Sequence, residues 1–128
     1  MLKRLVIKDD VFEQAVTVYL GTGKEFEAEL KQLTSEDVFD EMKELIYTSH
    51  GLALCVPVNQ KILKDKPFVN IIWLSKPELK LLLHEFSHMV LLMCEQKSLK
   101  VSASVSESYA YLFAYYASQA IKLLKITK

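Results

Sequence analysis

Apolar and polar positions recur in this chain with two different periods. From Gln14 to Leu20 the apolar residues Val16, Val18 and Leu20 return every second position, the mark of a strand. Gly21-Thr22-Gly23 closes that run as a turn. Lys24 to Leu33 changes to helical spacing, with Phe26, Leu30 and Leu33 four and three apart. Thr34 or Ser35 is suited to cap a further helix in which Val38, Met42, Leu45 and Ile46 share a face. Gly51 stands where that helix needs a left-handed residue to end. Leu52 to Val58, broken at Pro57, and Phe68 to Leu74 are two more β-like runs, separated by a polar, Lys-rich loop over 59–67. Met1 to Ile7 reads as another strand. Ser75-Lys76-Pro77-Glu78 then opens a helix, because Ser75 and Glu78 have capping-box spacing and Pro77 suits a first turn. This helix is predicted to run to about Gln96. It is apolar nearly all round and is therefore expected to be the buried central helix. A last helix is expected from near Ser104 to about Lys125. Strands and helices in this order predict a single α+β domain over 1–128, with a small sheet of three to four strands.

Composition narrows the function classes. At 128 residues, with 51% hydrophobic and 25% charged positions, the chain has the length and balance of one folded domain. Sixteen basic residues cancel sixteen acidic ones, which argues against a phosphate-neutralising nucleic-acid binder and against a polybasic membrane anchor. Cys55 and Cys94 lie in apolar runs and read as reduced core thiols. The N-terminal apolar stretch is too short for a signal-peptide core. Lys80, His84, Glu85 and His88 interrupt the longest apolar run, so no membrane span is expected. A cytoplasmic protein without nucleic-acid or membrane partners is the expectation.

The candidate chemistry lies in the predicted central helix, where His84-Glu85-Phe86-Ser87-His88 is an HExxH motif. Four residues on a helix give about 6 Å of rise and about 40° of rotation, so both imidazoles leave from one side. That arrangement lets two neutral nitrogens bind one tetrahedral zinc ion, with Glu85 beside them as general base. Chance would produce the motif in a chain of this composition roughly 0.6% of the time. The plainer alternative is a pair of hydrogen-bonded core histidines, but two His and a Glu on a buried helix are costly unless paired.

A third ligand is needed, and the choice downstream is small. Cys94 faces elsewhere on the helix, and Glu95 lies about 10 Å too far along its axis. Glu107 is the remaining acidic residue, on the next helix. Its spacing from Ser104 also fits a capping box, so ligand and cap compete for one carboxylate. Ala110, Ala114 and Ala117 form a small-residue stripe after Glu107 that permits close helix approach, or simply reflects the helix propensity of Ala. His50 has no partner at ligand spacing.

His84-Glu85-xx-His88 followed by Glu107 resembles the gluzincin branch of zinc metallopeptidases. The resemblance implies His84, His88 and Glu107 as Zn2+ ligands and Glu85 as base. Glu107-Ser-Tyr-Ala110 matches the Glu-x-x-Ala of the third-ligand helix in several members, although the Asp that many carry next is Tyr111 here. A closer likeness, over residues 69 to 116, is to short HExxH proteins encoded among the tail genes of tailed bacteriophages. It rests on Ile72-Trp73-Leu74, Pro77, Leu81-Leu82-Leu83-His84-Glu85, Val101 and Glu107-Ser-Tyr-Ala-Tyr-Leu112. The connector Ser102-Ala-Ser-Val-Ser106 departs from the acidic or Asn residues common there. The likeness implies a minimal zincin-like fold: a mostly antiparallel sheet packed on the HExxH helix and a C-terminal third-ligand helix.

The implied function is hydrolysis of a peptide or protein substrate by a zinc-activated water, with Glu85 as general base. In zincins an edge strand near the site pairs with extended substrate; Phe68 to Leu74 is either that strand or a plain core strand. Tyr109, Tyr111 and Tyr115 are candidate oxyanion or supporting hydroxyls, or packing residues. The competing reading is a phage or prophage structural or assembly protein, with an assembly partner, in which zinc is a staple between helices or activity is lost.

Overall fold

A computed structural model of the chain describes residues 2–9, 14–57, 68–96 and 106–124. Eight elements occur in order: β1 (Lys3–Asp9), β2 (Gln14–Leu20), α1 (Gly23–Leu33), α2 (Glu36–Thr48), β3 (Gly51–Pro57), β4 (Phe68–Leu74), α3 (Leu79–Gln96) and α4 (Ser106–Leu124). The fold is α+β, as expected, with a four-stranded mixed sheet ordered β1-β2-β4-β3. β1 pairs with β2 and β3 with β4 antiparallel, while β2 and β4 run parallel.

The sheet is sandwiched between two helical layers, and β4 explains how. Ile71 and Trp73 join one buried cluster with Phe26 and Leu30 of α1 and Phe39 and Ile46 of α2. Ile72 and Leu74 join the other, with Leu82, Phe86, Met89 and Met93 of α3 and Leu112, Tyr116 and Ala120 of α4. A strand buried on both faces has no polar side to show, which is why Phe68 to Leu74 reads as a near-continuous apolar run. β4 is therefore a core strand flanked by β2 and β3. The edge-strand reading of that segment is corrected: the edge on the α3 side is β3.

Local signals account for the first helical layer. Thr22 caps α1 in a full capping box, its hydroxyl accepting from the Glu25 amide and the Glu25 carboxylate accepting from the Thr22 amide. The turn expected at Gly21-Thr22-Gly23 is thus also a helix start. Ser35, not Thr34, caps α2 by accepting from the Val38 amide. Leu45, expected on the buried face of α2, is 43% exposed, and Phe39 is buried beside Ile46 instead.

Two boundary expectations change. α2 ends at Ser49 with extended backbone, and Gly51 opens β3. Gly51 serves close approach, not a left-handed turn. A Cβ there would stand 3.0 Å from Leu81 Cδ1, 3.0 Å from the Trp73 carbonyl and 3.2 Å from Glu85 Cγ. The Ser75–Glu78 box is replaced by a sheet extension: the Ser75 amide donates to the His50 carbonyl at 2.9 Å, and α3 begins at Leu79. β1 lies two residues later than the predicted N-terminal strand. The predicted 59–67 loop, the Ser104 start and capping box, Val101 and the end near Lys125 fall outside the described residues. Among the described residues, no helix is long and apolar enough to cross a membrane.

Candidate metal centre

α3 carries the motif, but its surroundings differ from those of a helix buried all round. Leu82, Glu85, Phe86, Met89, Val90, Met93 and Cys94 are buried against the sheet and α4. Lys80, His84, His88, Leu91 and Glu95 are exposed. α3 lies in the outer layer of the sandwich, so one side of it meets water even though that side is short of polar residues. The burial cost expected for the motif consequently falls on Glu85 alone, because both imidazoles are hydrated.

The i,i+4 spacing brings those imidazoles together as the helix geometry requires. The His84 and His88 rings are 4.8 Å apart between centroids and lie at 80° to each other. They stand side by side on the exposed face of α3. Glu85 turns off that face toward the start of β3, where its Cγ meets the space that Gly51 leaves open. The residue is 6% exposed. Burial pushes its carboxyl above the usual carboxylate range, and the neighbouring His84 and His88 oppose that rise. The arrangement is thus two solvent-facing nitrogen donors beside a carboxylate whose basicity is enhanced by desolvation.

α4 reaches this segment through Tyr109. Its hydroxyl lies 3.0 Å from Ser87 Oγ and also donates toward the Ser87 carbonyl at 3.4 Å. One turn of α3 is thereby tied to the beginning of α4, immediately beside His88. The stacked rings of Phe86 and Tyr116, 6.2 Å apart, join the same helices deeper in the core. Tyr109 is therefore a helix clamp. Tyr111 is 46% exposed and stacks on Tyr115, whose hydroxyl donates to the Lys8 carbonyl at 2.6 Å. Tyr115 ties α4 to β1.

Glu107 is in the first turn of α4, two residues before Tyr109; its side chain lies outside the described residues. The alanine stripe behaves differently from expectation. Ala117 is buried, but Ala110 and Ala114 are exposed, and larger residues (Leu112, Tyr116) fill the core side of α4. Close helix approach does not rest on that stripe.

Among the described residues no set of three His, Cys, Asp or Glu side chains comes together in a way that could hold a metal. His84 and His88 supply two donors of a type and proximity that fit zinc, and a third must come from outside the described side chains. His50 is exposed and takes part in the sheet through its carbonyl. Cys94 is buried and its thiol is pushed up by burial, which suits packing. Sequence patterns alone do not single out Gly51 or Ser87. A polar Ser inside an apolar helix is the one signal for Ser87; for Gly51 there is none, because the contact it permits is tertiary. Comparisons with protein-family models, with curated proteins and with solved structures find no match for this chain.

Proposed function

We propose that this chain is a zinc-dependent hydrolase of the metallopeptidase type, with His84, His88 and Glu107 as metal ligands and Glu85 as general base. The observation that carries the reading is the pairing of two adjacent, water-facing imidazoles with a desolvated carboxylate on the same turn of α3. Ordinary surface histidines need no such carboxylate, and burying Glu85 is unfavourable unless its position is used.

Bound zinc would supply Lewis acidity, lowering the pKa of a coordinated water and polarising a carbonyl. The chain's own groups do the rest. His84 and His88 present their ring nitrogens to one point outside α3. Glu85, raised in basicity by burial, takes a proton from the attacking water and returns it to the leaving amine. The Ser87–Tyr109 contact holds α4, and with it the backbone of Glu107, in fixed relation to His88. β3 is the free edge nearest Glu85, and an extended peptide is the substrate class that such an edge accepts.

Metal analysis of the purified chain tests this first. About one zinc per chain is expected for wild type, with loss in His84→Ala, His88→Ala and Glu107→Ala. Glu85→Gln should keep the metal and lose cleavage of a peptide library. Absence of zinc from wild type under metal-replete conditions sinks the reading. Full zinc occupancy with no cleavage of any peptide transfers it to the non-catalytic form, a metal staple between α3 and α4 in an assembly protein.

A further inference from the structure

The exposed residues of α3, in order, are Lys80, His84, His88, Leu91 and Glu95. At 100° per residue they fall within a sector about 80° wide, so they form one row. Along it stand a cation, the two imidazoles, an apolar side chain and an anion. From the midpoint of the His pair, Lys80 lies about 9 Å toward the helix start, Leu91 about 8 Å and Glu95 about 14 Å toward its end.

Two features separate this row from an ordinary solvated face. Leu91 is 37% exposed although it is a large apolar residue one turn beyond His88. Lys80 sits in the first turn of α3, where the helix dipole disfavours a cation. α1 and α2 carry Glu25 and the Glu36–Asp37 pair in their first turns, whereas α3 has no acidic residue there. Among the described residues Lys80 and Glu95 make no ion pair. Neither helix stability nor a local partner accounts for Lys80.

We infer that this row is a recognition strip for an extended peptide segment: Leu91 receives an apolar side chain on one side of the His pair, and Lys80 receives a carboxylate on the other. The inference rests on the proposed metal site in one respect, that the His pair marks where the segment is acted on. Lys80 and Leu91 are separated by about 16 Å along the helix, which an extended chain covers in about five residues. The substrate class is therefore a peptide with an apolar residue and a carboxylate about five residues apart. That carboxylate is either an acidic side chain or the peptide's own terminus. Glu95, beyond Leu91, sets the opposite charge preference at the far end.

Binding of fluorescein-labelled peptides to the zinc-loaded Glu85→Gln chain, in which nothing is cleaved, tests this by anisotropy. One probe carries leucine and, five residues on, glutamate; a second carries lysine in place of the glutamate; a third ends at that position in a free carboxylate with no acidic side chain. The glutamate probe should bind about three- to fivefold more tightly than the lysine probe, the scale of one exposed ion pair. Lys80→Glu should reverse that order. Leu91→Ser should weaken all three probes and leave their ratio unchanged. Tighter binding of the third probe than the first assigns a terminal carboxylate; the reverse assigns a side chain. Equal binding of the first two probes, or a preference that survives Lys80→Glu, overturns the inference. Zinc content measured on the same samples separates the two claims. A chain that discriminates without zinc keeps the strip and loses the metal reading, and one that holds zinc and discriminates nothing loses the strip alone.

Discussion

On the side of the sheet covered by α1 and α2, polar groups serve structure close at hand. Thr22 and Ser35 cap helices, and the Trp73 indole donates to the Gly21 carbonyl at 3.0 Å while stacking on Phe26 with ring centroids 5.3 Å apart. The Tyr19 hydroxyl donates to Glu29 at 2.9 Å, and burial is the main cause pushing its pKa up. On the side covered by α3 and α4, hydroxyls again tie elements together, as Tyr109 and Tyr116 do, but two imidazoles and a buried carboxylate remain that no packing need explains. One sheet thus supports a layer whose polar chemistry is spent on folding and a layer with chemistry in reserve. Equal amounts of apolar surface in both layers would not have revealed this. The polar residues left over do.

The contrast predicts that damage to the first layer costs stability and damage to the reserved chemistry does not. Trp73→Ala removes a side chain 2% exposed, together with its stack and its hydrogen bond, and should cost about 3–5 kcal/mol in urea unfolding. Gly51→Ala forces a methyl group against Leu81, a backbone carbonyl and Glu85, and should cost about 1–3 kcal/mol. A silent Gly51→Ala would mean that α3 is not seated closely on β3. Tyr109→Phe deletes the clamp on Ser87 and should cost about 0.5–1.5 kcal/mol, while lowering zinc affinity through loosened α4. His84→Ala, at an exposed position, should change metal-free stability by no more than about 0.5 kcal/mol while abolishing zinc binding. A large loss of stability in the metal-free state would make His84 a structural residue and erase the contrast.

Glu85 supplies the pH-dependent test. Its carboxyl titrates higher in the folded chain than in the unfolded one because burial disfavours the charge. The native state therefore holds the proton more tightly, and metal-free stability contributed by Glu85 falls as pH rises from the ordinary carboxylate range through the raised folded value. Glu85→Gln should flatten that slope and leave the zinc-free chain at least as stable as wild type near neutral pH. Denaturation curves of chelator-treated protein between about pH 4 and about pH 8 read this out. A stability loss in Glu85→Gln at neutral pH would show that the ionised carboxylate has a stabilising partner.

Legibility differs between residues for identifiable reasons. The strand at Gln14–Leu20, both later β runs, the helix at Phe26–Leu33 and the HExxH helix are readable because each depends on periodicity within one segment. The i,i+4 placement of His84 and His88 is readable for the same reason. The exposure of Leu45 is not, because a helical wheel shows which residues share a face but not how wide a strip the sheet covers. Leu91 is hidden from sequence in the same way, and with it the exposure of the motif. The Ser75 capping box fails because a sheet hydrogen bond to His50, 25 positions away, competes for that stretch of backbone.

The chain by itself settled the set of elements, the adjacency of two imidazoles and the presence of one carboxylate between them, since these depend on bond geometry along a single helix. Tertiary structure decided which side of α3 meets water, that β3 forms the edge beside Glu85, and that Ser87 is held by Tyr109. Those are outcomes of layer packing, where a side chain's surroundings come from segments remote in sequence, and no pattern confined to one segment encodes them.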